Sequence, residues 1–174
     1  MKIMQTIYAF DVSLFIWVMR RKSQKFLVQG ARYVSKTGDG HGYLLLALLL
    51  AWSHAPTDWL LLKCLAMGLA MERSAYFIIK NLCKRDRPPV ALNIPSFISP
   101  ADRFSFPSGH TSAAFLMASV LSYFYPALMP FAFVWAVLVG MARVILGVHF
   151  PTDTLIGALM GSVVASLAIR MLLP

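Results

Sequence analysis

The sequence predicts an all-α fold, a polytopic bundle of transmembrane helices that forms one membrane-embedded unit over residues 1–174. Composition is the first reason, since 59% of the residues are apolar, 13% are charged and the mean hydropathy is +0.68. A soluble domain of this size would carry about a quarter charged residues. The second reason is that the apolar residues fall into several runs close to the roughly 17–25 residues that a helix needs to cross a bilayer.

The N-terminal segment, residues 1–37, is interrupted by Asp11, and its first apolar run ends in Arg20-Arg21-Lys22. That pattern is short and polar for a spanning helix, so we predict one or two amphipathic helices in the headgroup region, with a spanning helix as the alternative. No secretory signal is expected, because no small-residue cleavage site follows a basic start. The hinge Gly38–Gly42 comes next, and we interpret it as a turn before a helix, with a substrate contact as the alternative.

Five spanning helices are predicted, at about Gly40–His54, Trp59–Leu82, Ser108–Tyr125, Leu128–Leu146 and Pro151–Leu173. The second carries Glu72 and Arg73, and charges at that depth are costly enough to suggest a function. Because adjacent residues do not face each other on a helix, we expect these two to find partners in other helices, or to form the rim of a polar pocket. Residues 88–106 form the longest aperiodic stretch, and such loops are usually functional or mobile.

Alternation of the five spans predicts that their polar ends meet at one membrane surface. The end of the second span, the start of the third, the end of the fourth and the start of the fifth all emerge on the same side. The polar residues at those ends are Lys80–Arg87, Pro107–His110, Arg143–His149 and Asp153. Nearly half of the chain separates the first group from the last, so their convergence indicates a site.

The formal charge of +9 is compatible with nucleic acid, anionic lipid headgroups or a phosphorylated substrate as partner. In a chain this apolar, membrane lipid and phosphate are the expected partners, and nucleic acid is not. The four histidines and two cysteines show no metal-ligand spacing, so neither a metal nor a cofactor is expected. Cys64 and Cys83 lie in or beside apolar helix and are predicted to be packing residues.

Two groups of residues are suited to holding a phosphate. Lys80 and Arg87 share a helix face if that helix continues to Pro88, and two cations there would clamp a phosphate. A lipid-binding basic flank that includes Lys84 and Arg85 is the alternative. The polar turn Phe104–Ser112 opens directly into an apolar helix, whose first N–H groups can bind an anion.

That turn also supplies a residue for proton transfer. Ser108 is predicted to be the N-cap of the following helix. His110 stands in its first turn, where an imidazole can pass a proton to a bound anion. The alternative is a capped membrane helix that carries a surface histidine.

A third group surrounds the turn between the fourth and fifth spans. Arg143 lies near the end of one helix, His149 follows six residues later, and Pro151 is a favourable first residue for the next helix. Asp153 would then reach back as in a capping box and hold one nitrogen of His149 as N–H. An imidazole fixed in this way acts as base or nucleophile, although helix capping alone also explains Asp153.

Together these groups indicate phosphoryl transfer. Three cations and a helix N-terminus would neutralise the phosphate and its transition state. His149 would attack phosphorus, His110 would protonate the leaving alkoxide, and water would then hydrolyse the phosphohistidine. No metal is required, because the cations are side chains. His149→Ala is expected to abolish turnover and leave the fold intact, on the expectation that His149 lies in a polar surface pocket.

The pattern resembles the three-part signature of the type 2 phosphatidic acid phosphatase superfamily over about residues 38–170. The three parts are Lys80-x6-Arg87-Pro88, Pro107-Ser108-Gly109-His110 and Arg143-x5-His149-x3-Asp153. The resemblance implies that Lys80, Arg87, Ser108, Gly109 and Arg143 bind phosphate, that His110 is the acid, and that His149 is the nucleophile with Asp153 as its partner. One departure is Ala142, where the family has serine. Family members often have six spanning helices, so five or six are expected here.

The function expected from both lines of reasoning is a metal-independent membrane phosphatase of a bacterial plasma membrane. Its substrate would be phosphatidic acid, phosphatidylglycerophosphate, a polyprenyl phosphate or diphosphate, or a lipid A phosphate. A non-catalytic headgroup binder or transporter is the alternative, although binding alone would not need His110, His149 and Asp153. A haloperoxidase uses a similar pocket, but that chemistry is not tied to a bilayer. The substrate, the face of the membrane and the oligomeric state are left open by the sequence.

Overall fold

The computed structural model of the chain describes residues 2–20, 25–53, 55–100 and 102–173, and these residues are helical with no strand beyond one isolated bridge. The helices are α1 (Lys2–Arg20), α2 (Lys25–Thr37), α3 (His41–Trp52), α4 (Pro56–Cys83), α5 (Pro88–Leu92), α6 (Gly109–Phe124), α7 (Met129–Ile145) and α8 (Pro151–Leu172). The predicted all-α class is therefore confirmed. His54, the predicted end of the first span, and the basic pair Arg21-Lys22 lie outside the described residues.

Helix α6 lies at the centre of the bundle and packs against α4, α7 and α8. Two glycines of α8 allow a very close approach to α6. A Cβ at Gly161 would lie 2.1 Å from the Ser112 carbonyl oxygen, and a Cβ at Gly157 would lie 2.6 Å from the Ser108 carbonyl oxygen. Because any side chain there would collide with backbone, these glycines fix the start of α6 against the first half of α8.

Helix length alone does not confirm five or six spans. In the described part of the chain, two helices are long and apolar enough to cross a membrane: Pro126–Ile145, which adds a 3₁₀ turn to α7, and α8. Helix α3 has 12 residues and α6 has 16, both below the roughly 17–25 of a full span. Helix α4 has 28 residues, but it carries charges that include Glu72 and Arg73.

The N-terminal segment forms two helices, within the predicted one or two. Helix α2 buries Val28, Ala31 and Ser35 and packs against α7. Helix α1 buries Phe15 and Met19 in a cluster with residues of the α7–α8 region. Both helices therefore lie against the end of α7, where Arg143 is located.

Two local predictions are corrected by the structure. Helix α4 ends at Cys83, before Pro88, because Lys84 adopts a left-handed conformation with φ of 45° and caps the helix. Glu72 and Arg73 pair with each other, through contacts of 2.6 and 2.8 Å. Arg73 also lies 3.5 Å from the Gly109 carbonyl oxygen of α6 and lines a polar cavity, as the predicted alternative has it. Adjacent residues start on different sides of a helix, but both side chains are long enough to bend together. Short helix α5 also lies in the stretch predicted to be aperiodic.

Candidate active site

A cavity of about 630 Å³ opens where α4, α6 and α7 meet the hinge that follows α2. Five of the predicted site residues line it, namely Arg87, Gly109, His110, Arg143 and His149. Lys80, Ser108 and Asp153 are buried behind its wall. The structure therefore brings the three sequence groups together, as the alternation of spans predicts. Tyr43, Leu44, Leu69 and Ala113 add an apolar side to the same cavity.

The two cations of the first group meet on a carboxylate that the sequence reasoning missed. Asp102 Oδ1 lies 2.5 Å from Arg87 Nη2 and 2.9 Å from Lys80 Nζ. Its other oxygen accepts a hydrogen bond of 2.7 Å from the Tyr76 hydroxyl. Since α4 ends at Cys83, the loop and not a shared helix face brings Lys80 and Arg87 together.

The surroundings of Asp102 are strongly cationic. Partial burial alone would raise the pKa of its carboxyl, but hydrogen bonds from Arg87, Tyr76 and Lys80 outweigh that effect and lower the pKa to about 2. A group with the charge of a phosphate oxygen thus already binds both cations. The sequence signal that could have identified Asp102 is its position in a long aperiodic loop, six residues before Ser108.

The start of α6 matches the predicted turn in most respects. Ser108 occupies the N-cap position, but its hydroxyl pairs with Thr111 Oγ1 at 2.9 Å and not with a backbone amide. The Ser108 amide donates to the Asp153 carbonyl oxygen at 2.9 Å, which ties the second sequence group to the third. The following amides are the first of the helix and have no acceptor within it.

His110 contacts the hinge between α2 and α3. Its Nε2 lies 2.8 Å from Asp39 Oδ1. The sequence favours a turn at this hinge, with a substrate contact as the alternative, and the structure places Asp39 of the hinge beside His110 in the site. An acidic residue between two glycines was the sequence signal, because such a hinge lets a carboxylate approach a neighbouring helix.

His149 lines the cavity, but its side chain is buried, with 2% of its surface exposed, so it lies deeper than the surface pocket that the sequence predicts. Arg87 Nη1 lies 3.2 Å from His149 Nε2. A guanidinium can only donate, so Nε2 accepts and the neutral ring carries its proton on Nδ1. Burial lowers the pKa of His149 to about 4; Arg87 and Arg143 act in the same direction, and Asp153 opposes them.

Asp153 lies beside His149 but is largely occupied elsewhere. His149 Nδ1 is 3.6 Å from Asp153 Oδ2, which is too long for a hydrogen bond. The same oxygen accepts the Phe150 amide at 2.8 Å, so the predicted helix-capping contact is present. A shift of the ring by less than 1 Å would add the bond to Nδ1.

Arg85 connects Asp153 to the N-terminal helix. Its guanidinium lies 2.8 Å from Asp153 Oδ1 and 2.6 Å from Asp11 Oδ2. Asp11 is fully buried and accepts the Thr152 amide at 2.9 Å. The sequence suggests a lipid-binding flank for Arg85 and only an interruption of an apolar run for Asp11. The structure places both of them behind the site.

Arg143 is buried and receives support from α2. Its Nη1 donates to Ser35 Oγ at 2.7 Å, and its Nε has no hydrogen-bond partner among the described residues. Ala142, where the resembled family has serine, packs in an apolar cluster with Val28 and Ala31 of α2. The hydroxyl that contacts Arg143 thus comes from α2 and not from the preceding residue.

Comparison with known proteins gives one family. The sequence model of the PAP2 superfamily matches residues 59–173. The decaprenylphosphoryl-5-phosphoribose phosphatase of Mycobacterium tuberculosis is 30% identical over 135 residues, which are 72% of this chain and 69% of the relative.

Two solved structures resemble the whole bundle. Aquifex aeolicus LpxE superposes with a TM-score of 0.81 at 26% identity, over 91% of this chain and 94% of that one. A transmembrane PAP2-type phosphatidylglycerolphosphate phosphatase from Bacillus subtilis gives a TM-score of 0.77 at 25% identity, over 95% of this chain and 86% of that one.

Proposed function

We propose that this chain, which belongs to the PAP2 superfamily, hydrolyses a lipid phosphate or diphosphate. The reaction proceeds through a phosphohistidine on His149 and needs no metal. The relatives are named as phosphatases, one solved structure among them is transmembrane, and this chain is accordingly a membrane phosphatase. The observation that carries the proposal is the position of His149: its Nε2 accepts from Arg87 beside a cavity that Arg143 and His110 also line. A phosphate bound by Arg87 would take over that N–H and free the Nε2 lone pair for attack. A neutral, oriented imidazole beside phosphate-binding cations is suited to nucleophilic attack.

The proposed reaction has two steps. In the first, a bond forms between His149 Nε2 and phosphorus, the bond to the ester oxygen breaks, and His110 gives its proton to that oxygen. In the second, His110 takes a proton from water, the oxygen of that water attacks phosphorus, and the bond to His149 breaks. Since Asp39 holds His110 Nε2, Nδ1 is the nitrogen that transfers the proton.

The cations would stabilise the charge that develops on the phosphate. Arg87 and Arg143 line the cavity, and Lys80 lies behind it, 2.9 Å from the carboxylate of Asp102 that it shares with Arg87. Asp153 acts as a positioning residue, because it anchors the start of α8 and lies 3.6 Å from His149 Nδ1. There it would offset the positive charge that the ring gains on phosphorylation.

We further propose a multi-pass topology in which α3, α4, α6, α7 and α8 are five spans in a bacterial plasma membrane. Helix α3 supports this topology, because Leu44, Leu45, Leu48 and Leu49 are each about 60% exposed on a single short helix. Such a surface is stable against lipid. The apolar side of the cavity would then admit the lipid chain.

Phosphate release from a lipid panel tests the proposal. The purified protein in detergent with EDTA is assayed on phosphatidic acid, phosphatidylglycerophosphate, undecaprenyl phosphate and diphosphate, and lipid A. We expect release that EDTA does not prevent, and the preferred lipid identifies the substrate class. Binding of these lipids without any release would favour a non-catalytic headgroup binder instead.

The pKa of His149 predicts an unusual pH profile. Because the neutral imidazole attacks, activity should be present above the pKa of about 4 and be lost as the pH falls through it. The substrate phosphate loses its second proton at about pH 6, so the measured kcat/KM must first be corrected for the fraction of substrate in each ionisation state. On the acid side, the corrected kcat/KM should then be level at about pH 5 and be halved near pH 4. Loss of the proton that His110 must donate sets a separate limb on the alkaline side. Half-loss between pH 6 and 7 on the acid side would contradict the assignment.

Asp102 predicts a variant that binds phosphate analogues more tightly. A phosphate that reaches Lys80 and Arg87 must displace this carboxylate, so part of the binding free energy is lost to competition. Asp102→Asn should lower the inhibition constant of orthovanadate by about three- to tenfold. Asp86→Asn, which removes an exposed carboxylate nearby, is the control. Weaker inhibition of Asp102→Asn would mean that Asp102 positions the cations in the bound state.

A further inference from the structure

A second cavity of about 600 Å³ adjoins the candidate active site on the side of α2. Its walls are α2, residues 97–99 of the long loop and the end of α7. Asp39, His110 and Arg143 line both cavities. The two spaces therefore meet at the residue that we propose as the acid.

The second cavity differs from the first in its chemistry. Arg32 and Lys36 of α2 line it together with Arg143, whereas Asp39 is the only carboxylate among its lining residues in the described part of the chain. Three cations against one carboxylate favour an anion. Leu44 and Leu69, which give the first cavity an apolar side, do not line the second, whose apolar residues are Tyr33, Phe97, Ile98 and Leu146.

Arg143 carries a buried donor at the boundary of the two cavities that no described residue satisfies. It is 5% exposed, and its Nε finds no hydrogen-bond partner among the described residues. An unpaired donor on a buried guanidinium is costly, so such groups are normally satisfied by a ligand, an ion or water. Since Arg143 lies between the two cavities, an anion in either one could reach it.

We propose that this cavity is a second anion subsite, which binds a phosphate group next to the one being hydrolysed. The inference rests on the proposed function. A leaving group protonated by His110 must lie beside His110, and the cavity begins there. The anion is then a second phosphate carried by the lipid, or the inorganic phosphate that leaves through this basic opening.

Lys36 gives the cleanest variant for a test. Arg32 also donates to the Phe97 carbonyl oxygen at 2.8 Å, so its loss would disturb the loop as well. Lys36→Gln removes one charge from an exposed position. Lys25→Gln is a matched control, because it removes the same charge from the exposed start of the same helix, away from the cavity.

The experiment compares the kcat/KM values of phosphatidylglycerophosphate, which has a second phosphate, and phosphatidic acid, which has one. If the subsite binds the second phosphate of the lipid, Lys36→Gln should lower the kcat/KM of phosphatidylglycerophosphate relative to that of phosphatidic acid by about three- to tenfold. For a subsite that binds released phosphate, the inhibition constant of inorganic phosphate should rise by the same factor.

The outcomes separate this inference from the proposed function. Hydrolysis of phosphatidic acid by the wild type tests the function alone. Calorimetric binding of inorganic phosphate to wild type and both variants needs no turnover and tests the subsite alone. If Lys36→Gln changes neither the ratio nor phosphate affinity beyond Lys25→Gln, the second anion subsite does not exist.

Discussion

Replacing His149 by glutamine should lower the turnover of a lipid phosphate by about 10⁴-fold or more, the order expected when a nucleophile is removed. The residue forms the bond to phosphorus in the proposed reaction, and His110 cannot take its place on the opposite side of the phosphate. Glutamine is preferable to alanine because His149 is 2% exposed. Alanine would leave a cavity that also costs stability.

The control for this variant is its stability and its ability to bind phosphate. The unfolding temperature should stay close to that of the wild type, and orthovanadate should still bind to the cations. A His149→Gln protein that folds normally and keeps more than a tenth of its activity would exclude His149 as the nucleophile.

The second large effect is expected for Arg143. Arg143→Ala should lower kcat/KM by about 10²–10³-fold, as when one preorganised donor to a developing oxyanion is removed. The loss should appear in both kcat and KM, because the guanidinium would contact the phosphate before and during the reaction.

Arg143→Lys provides the graded comparison. It keeps the charge but not the planar fork that contacts Ser35, so its activity should lie between those of the wild type and the alanine variant. Equal loss in both variants would still fit a bidentate contact. An alanine variant with unchanged kcat/KM would mean that Arg143 has only a structural role.

Sequence reasoning located most of the candidate site because helix starts and alternating spans follow local rules. His110 lies in the first turn of α6, and Asp153 caps α8 through the Phe150 amide, both as predicted. These positions depend on proline, glycine and capping residues close in the chain. The convergence of Arg87 and His149 followed from the alternation of helices.

The missed features depend on contacts between distant residues. Lys84 ends α4 with a positive φ, a conformation that glycine usually adopts and that a lysine in the sequence does not predict. Asp102, Asp39 and Asp11 each bind a residue more than 10 positions away, and nothing local distinguishes them from solvated carboxylates.

The covalent intermediate is the most direct test of the account. The protein would be mixed with lipid phosphate labelled with ³²P at the scissile group, in EDTA, and turnover would be stopped with alkaline denaturant within milliseconds. Trypsin cleavage after Arg143 and Arg170 gives a peptide in which His149 is the single histidine. We expect acid-labile, base-stable label on this peptide that rises before phosphate release and is absent from His149→Gln. Steady phosphate release with no label on the peptide at any time would contradict a phosphohistidine on His149.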